Sequence, residues 1–600
     1  MAENVSDFIV RRLYDWGVRR IYGYPGDGIN GLVGALQRFD DKIQFIQVRH
    51  EEQAAFMACA HAKFTGEVGV CMATSGPGAI HLLNGLYDAK GDHVAVVAIV
   101  GHAATTALGG DYQQEVDLPN LFKDVASGYL SMVTSPVAAR HVVDRAMRTA
   151  VGLRTVTCVI VPKDVQEKDA IKKPPHKHNT VHSGIGYSRP RIVPQMHDLK
   201  RAAELLNSCE RVAMLVGAGA MEAGDEIVAV ADKLQCGIAK ALLGKAVVPD
   251  DLPYVTGTIG LLGTQASQEM MSNCDALLMV GSSFPYSEFL PSEGQARGVQ
   301  IDIDPRLIGI RYPMEVNLIG DARDTLAELL PLLQQKENAS WRDRLAETKK
   351  RAAGVAERRA EIKGHPMNPQ PIFTQLSRRL PDRCIVTADA GTSTNWAARL
   401  LEMRKGMKFS LSGGLATMGP AVPYAIAAKF AFPDRVAIAL TGDGAMQMNG
   451  LNEMLTVAKY WKMWSDPRII FFVSNNCDLN QVTWEMRFET GDPKYEVSQQ
   501  LPDFPYAKFA ESLGFMGISI DSESQAGDAW DRALSADRPV IFEAHTDPAI
   551  SLLPPHITFD MAKEMAITMW KGDPEEVPVI IETAKQMMAG LLPKRGGGNR

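Results

Sequence analysis

No stretch of this 600-residue chain is apolar for long enough to span a bilayer. Its eight cysteines, at 59, 71, 158, 209, 236, 274, 384 and 477, include no CxxC pair and fall mostly in apolar runs. That spacing excludes a zinc ribbon or a disulfide framework and points to buried, reduced thiols in a cytoplasmic protein. A basic surplus is also missing. Lys and Arg number 63 against 70 Asp and Glu, a net charge of −7, so no nucleic-acid partner is expected. The first residues, MAENVSDFIVRRLYDWG, carry an amphipathic helical pattern and no secretory signal architecture. Low-complexity tracts and short repeats are absent as well. What remains is an ordinary globular composition, 46% apolar and 22% charged, long enough for about three to four domains.

Short apolar runs alternate with helical periodicity along nearly the whole chain, so the expected class is α/β with three doubly wound parallel sheets. The first block, 1–165, has strand candidates at 20–24, 44–48, 68–73, 94–100 and 156–161. A Lys-, His-, Pro- and Ser-rich linker spans 166–193, followed by a second block over 194–335 with strands near 212–216, 236–241, 276–280 and 298–303. A charged helical connector covers 336–368; its acidic and basic residues interleave, so it reads as a solvated helix. The third block, 369–549, has strands at 385–388, 436–440 and 469–473, and a tail follows over 550–600. The tail holds a Pro-rich turn, a Met-rich helical pattern and a Gly-rich end expected to lack order.

The most informative stretch is 440–480. A buried strand breaks into Gly442-Asp443-Gly444, a helix follows, and a second strand ends at Asn475-Asn476. Parallel strands open at one edge, so Asp443 and Asn476 would face each other as oxygen donors, with the backbone carbonyl of Asp478 nearby. Such a set suits Mg²⁺, which takes its remaining ligands from phosphate and water. The glycines and the helix N-terminus suit the phosphate itself. In the first block, the strand candidate 44–48 leads into Arg49-His50-Glu51-Glu52, which places carboxylates at a strand end and a helix start. Tyr24-Pro25-Gly26-Asp27-Gly28 and Thr74-Ser75-Gly76-Pro77-Gly78 are tight turns after two other strands.

Taken together, YGYPGDG, RHEEQAAFMA, TSGPGAIHLLNGL, YQQE, ADAGTSTNWAARL, GLATMGPAVPYAIAAK and GDG with NN resemble, in order, the motifs of thiamine-diphosphate (ThDP) enzymes. The similarity is to the branch holding pyruvate oxidase and acetolactate synthase. It implies a pyrimidine-binding domain, a central domain and a diphosphate-binding domain. Two subunits would share each site, so a homodimer is the minimum and a homotetramer is common. Carried over, Glu51 is the carboxylate that activates the cofactor, and Gln114 lies near substrate. Asp443, Asn476 and Asp478 hold Mg²⁺. Pro25, Gly26, Ser75, Gly76, Gly391, Thr392, Ser393, Gly442, Gly444 and Ala445 approach ThDP, and Met418 is the wedge that bends it. Three departures stand out. The GDG-to-NN gap is several residues longer than usual, with the surplus at 464–468. Ala416 replaces a glycine two residues before the wedge, and Gln113 replaces an aromatic residue, which makes the substrate pocket more polar.

The central block bears on redox chemistry. Gly217 and Gly219 follow a strand, but Glu222 occupies the third glycine position of GxGxxG. Thr256-Gly257-Thr258, Ser283-Phe284 and Asp302-Ile303-Asp304, with Asp321, resemble the segments that hold FAD in pyruvate oxidases. Relatives with the same domain bind ADP or nothing. The expected activity is decarboxylation of a 2-keto acid, most directly pyruvate, with oxidation of the resulting enamine through FAD. A non-redox carboligase or decarboxylase is the alternative, and a catalytically silent relative is the reading from another class. The tail resembles that of quinone-linked oxidases; core packing is expected of it ahead of peripheral membrane contact.

Overall fold

In the computed structural model, residues 3–550, 552–555 and 559–591 are described. The Gly-rich end and part of the Pro-rich turn, on which expectations were placed, lie outside them. Three six-stranded sheets, every pairing parallel, follow one another along the chain. The first holds β1 (Arg20–Gly23), β2 (Gln44–Gln47), β3 (Gly69–Ala73), β4 (Val96–His102), β5 (Tyr129–Met132) and β6 (Val156–Pro162), in the order β2-β1-β3-β4-β6-β5. The second holds β7 (Val212–Val216), β8 (Gly237–Lys240), β9 (Val255–Thr258), β10 (Ala276–Val280), β11 (Arg297–Asp302) and β12 (Val316–Ile319), ordered β12-β11-β10-β7-β8-β9. The third holds β13 (Ile385–Ala388), β14 (Lys408–Ser410), β15 (Ala437–Gly442), β16 (Ile469–Asn475), β17 (Met516–Ile520) and β18 (Val540–His545), ordered β14-β13-β15-β16-β18-β17.

Helices cover both faces of a parallel sheet, so the inner strands are apolar throughout. Every residue of β3, β4, β6, β7, β10 and β16 is buried. Of the six strands not expected, five (β5, β9, β12, β14 and β17) are sheet edges. They are short, and β12 alternates buried and exposed residues, so none carries the continuous apolar run that marks an inner strand. Each chain reversal leaves a crevice at the carboxyl ends of two strands: β1/β3, β7/β10 and β13/β15.

The first and third domains share one core. Helix Glu51–Thr65 packs on helix Ala421–Ala431, and a single apolar cluster runs through both. A buried polar network locks the same seam. Lys63 Nζ reaches Asp92 at 2.6 Å, the Leu411 carbonyl at 2.8 Å and Tyr424 Oη at 2.6 Å, and Tyr424 in turn donates to Asp88. The irregular segment begins later than expected. Gln166 is wholly buried in helix Lys163–Glu167 and donates to the carbonyls of Gly28 and Val161. The connector is also more than a solvated spacer. Helix Ser340–Ala360 buries Trp341 and Leu345 against the central domain, and Arg358 and Arg359 donate to carbonyls at Ala589 and Gln586 of the last helix. The tail forms helices Phe559–Trp570 and Glu576–Leu591, burying Met569 and Val579 while leaving Trp570 and Val577 exposed.

Candidate functional site

At the β13/β15 crevice the sequence signals converge. Asp443 caps the end of β15 and is buried. Its Oδ1 accepts the Gly444 N–H at 2.9 Å; its Oδ2 accepts those of Asn476 at 3.0 Å and Cys477 at 2.6 Å. Those three donors fix the carboxylate beside Asn476 across the β15/β16 pair. Burial raises its pKa to about 6, against the pull of the three N–H groups. Asn476 Oδ1 accepts the Asp478 N–H at 3.1 Å, which folds the loop back on itself. The Asp478 carboxylate, by contrast, is committed to Thr483 Oγ1, Asn480 Nδ2 and Lys494. The surplus at 464–468 forms a loop with Asp466 and Arg468 paired, at the opposite end of β16, so it lengthens the chain without touching either donor.

The same crevice has room for a phosphate. A Cβ at Gly391, whose φ is +131°, or at Gly442 would meet no atom within 4 Å. Thr392 and Ser393 open helix Thr392–Leu400 directly after Gly391, and Ser393 is anchored through its hydroxyl to the Thr441 carbonyl. A side chain on Gly444 would collide with Leu479, and the Met418 methyl lies 3.3 Å from the same point. Met418 therefore packs against the Gly444 turn, with Ala445 buried beside it. Ala416 has φ +53°, a backbone state that favours glycine. The substitution therefore retains the glycine conformation, and Ala416 is exposed. Asp389, directly after β13, organises this loop: its Oδ1 accepts the N–H groups of Gly419 and Ala421.

In the first domain, Glu51 is buried at the start of its helix while Glu52 bonds Asn84 and Asn449 and so bridges two domains. The two helix-start acids are thus unlike. Glu51 Oε2 meets His81 Nδ1 at 2.9 Å, and a Cβ on Gly78 would sit 3.0 Å from Glu51 Oε1. His81 was not among the expected residues; only a known contact with Glu51 would have singled it out. Gln114 Oε1 accepts from Ser75 Oγ at 3.0 Å, and Gly76, at φ +61°, leaves the space that Gln114 occupies. Gly26 packs on Thr74, and Pro25 is exposed at the crevice rim.

The central crevice is different in kind. A Cβ on Gly217 would lie 2.4 Å from the Gly281 carbonyl, and one on Gly219 2.8 Å from Gly281 Cα. These glycines let two strand-end loops pack on each other, so they do not make an open cradle. Thr256 and Thr258 donate to the carbonyls of Ile238 and Ala398, and Gly257 packs on Thr264. Phe284 is buried, with Ser283 half-buried beside it. Asp304 is paired with Arg306, and Asp321 caps the helix Ala322–Leu329 and pairs with Arg189. Asp302 keeps acceptor capacity: one oxygen holds the Asp304 N–H, and burial raises its pKa.

An acid-and-amide pair beside open glycines in one crevice, and a buried carboxylate held by a histidine in another, are the make-up of a cofactor-dependent α/β enzyme. The chain belongs to the thiamine pyrophosphate enzyme family, in the pyruvate oxidase and acetolactate synthase branch. The family's N-terminal TPP binding domain matches residues 3–121, its central domain 199–329 and its C-terminal TPP binding domain 389–544. A Bacillus subtilis (strain 168) protein named, provisionally, the thiamine pyrophosphate-containing protein YdaP is 35% identical over 96% of this chain and 98% of its own length. Pyruvate oxidase of Lactiplantibacillus plantarum is 29% identical over 89% of the chain and 87% of its own length. The Escherichia coli (strain K12) acetolactate synthase isozyme 3 large subunit is 29% identical over 86% and 89%.

Proposed function

We propose that this enzyme decarboxylates a 2-keto acid, most directly pyruvate, and passes the electrons to FAD in the central domain. The observation that carries the cofactor assignment is the pairing of Asp443 with Asn476 beside the open space at Gly391 and Gly442. Bound ThDP supplies an electron sink for loss of CO₂. Asp443, Asn476 and the Asp478 carbonyl would hold Mg²⁺, and the glycines with Thr392, Ser393, Gly444 and Ala445 would hold the diphosphate. Met418 and the Ala416 carbonyl would orient the aminopyrimidine. Glu51 Oε would share a proton with that ring, and its burial keeps competing water away. Gln114, fixed by Ser75, would orient the keto-acid carboxylate. The working unit is at least a homodimer and in our reading a cytoplasmic homotetramer. Among the described residues no helix is long and apolar enough to cross a membrane.

A second reading, a carboligase or decarboxylase without redox flavin, has a specific observation behind it: the glycines at the β7/β10 crevice are spent on chain packing. The Asp302 carboxylate keeps an acceptor oxygen that FAD could use but does not demand it, and Thr256 and Thr258 are committed to backbone carbonyls. The deciding experiment is a visible spectrum of protein purified without added cofactor, followed by anaerobic pyruvate. A flavin band that bleaches establishes the oxidase; no band after soaking with FAD transfers the assignment to the non-redox reading. Glu51→Gln tests the carboxylate, and full activity in that variant would remove Glu51 from the mechanism.

A further inference from the structure

A buried ionic network joins the C-terminal helices to the loop after Asn476, and no role given above uses it. Arg487, in the π-helical turn Met486–Thr490, is wholly buried. Its Nε and Nη2 donate to the two oxygens of Asp573 at 2.9 and 2.8 Å, and Nη2 also reaches Glu575 at 2.9 Å. Asp573 and Glu575 lie in the turn between the two C-terminal helices. Lys494 connects this turn to the metal loop. Its N–H donates to Asp573 at 2.9 Å, and its Nζ donates to Glu575 Oε1 at 2.7 Å and stands 3.2 Å from Asp478 Oδ1.

The Asp478 carboxylate is wholly buried, and Lys494 is the one cation paired with it among the described residues. Without that cation a buried carboxylate two residues from Asn476 is left with only the Thr483 hydroxyl and the Asn480 amide, and turning to find a new partner disturbs the loop. The tail is already held by the Arg487–Asp573 pair, by Arg358 and Arg359, and by the burial of Met569 and Val579. The Glu575–Lys494–Asp478 chain is additional, and it runs toward the metal loop. We propose that Lys494, braced by Asp573 and Glu575, is a positioning residue for that loop, so that docking of the C-terminal helices and binding of Mg²⁺ with ThDP favour each other. The proposal rests on the reading of Asp443, Asn476 and Asp478 as the metal-holding set. Coupling of this kind is reciprocal, so the effect must be visible from both ends.

Mg²⁺ is titrated into protein held in saturating ThDP, read by tryptophan fluorescence (Trp484 stacks beneath Arg487). In parallel, trypsin cleavage within 559–591 is timed with and without Mg²⁺ and ThDP. In the wild type the pair should slow cleavage about tenfold. Lys494→Met and Glu575→Gln should weaken Mg²⁺ about tenfold and lose the protection, while Lys494→Arg should recover most of both. If the wild type binds no Mg²⁺ and ThDP, the site reading itself fails. If it binds them, but the variants match it within about twofold and cleavage ignores the ligands, the coupling is overturned. Should Lys494→Met fail to fold, Glu575→Gln, at a partly exposed position, and the wild-type protection decide.

Discussion

Asp389→Asn should change sign with pH. Asp389 is buried, its Oδ1 accepts two N–H groups, and its Oδ2 has no partner among the described residues. Burial lifts its pKa from 3.8 to about 7, opposed by the two N–H donors. The native state therefore binds this proton more tightly than the unfolded chain, and stability falls as pH rises from about 4 to about 7. A difference of that size is worth about 4 kcal/mol, present at low pH and lost above neutrality. Asparagine is neutral throughout and can accept the same two N–H groups. Its NH₂ would occupy the place of Oδ2 with nothing to bond, at about 1–3 kcal/mol. The variant should thus be about 2 kcal/mol more stable than wild type at pH 8 and about 1 kcal/mol less stable at pH 4.5, where about 1 kcal/mol of the wild-type advantage is already lost. In the apoprotein this corresponds to melting of the C-terminal domain raised by about 4–8 °C at pH 8 and lowered by about 2–4 °C at pH 4.5. Glu453 and Asp443, raised by burial to about 7 and about 6, are common to both proteins and cancel in the difference. A difference of one sign at both pH values would refute the argument.

Asp443 must be ionised to hold a cation, and its pKa near 6 implies that Mg²⁺ affinity in the presence of ThDP falls about tenfold from pH 7 to pH 5; equal dissociation constants would remove Asp443 from the ligand set. Ala416→Gly relieves a left-handed φ, so it should be neutral to about 1 kcal/mol stabilising in calorimetry, whereas Ala→Gly elsewhere usually costs about 0.5–1 kcal/mol. Tyr424→Phe strips a partner from both Lys63 and Asp88 at the seam between the first and third domains, and should cost about 2–3 kcal/mol in thermal unfolding. A loss under about 0.5 kcal/mol would mean that water replaces the hydroxyl there.

Local patterning was enough to identify the α/β class, every inner strand but β18, and the strand-end motifs around Glu51, Gly391, Asp443 and Asn476. An inner parallel strand is apolar on both faces, and phosphate loops use glycine and short oxygen donors at fixed offsets, so both leave their mark in consecutive residues. The resemblance to a family of known cofactor added the roles. Tertiary structure alone decided the rest. Edge strands such as β12 and β14 borrow their register from a neighbour and need no apolar run of their own. Gly217 and Gly219 read identically whether they cradle a nucleotide or pack on Gly281, and only the distance between the loops separates the two. Whether Glu51 or Glu52 was available depended on Asn84 and Asn449, the latter some four hundred positions away. The link from Glu575 through Lys494 to Asp478 likewise joins charges that are unremarkable in sequence, because a buried ion pair is defined by what desolvates it.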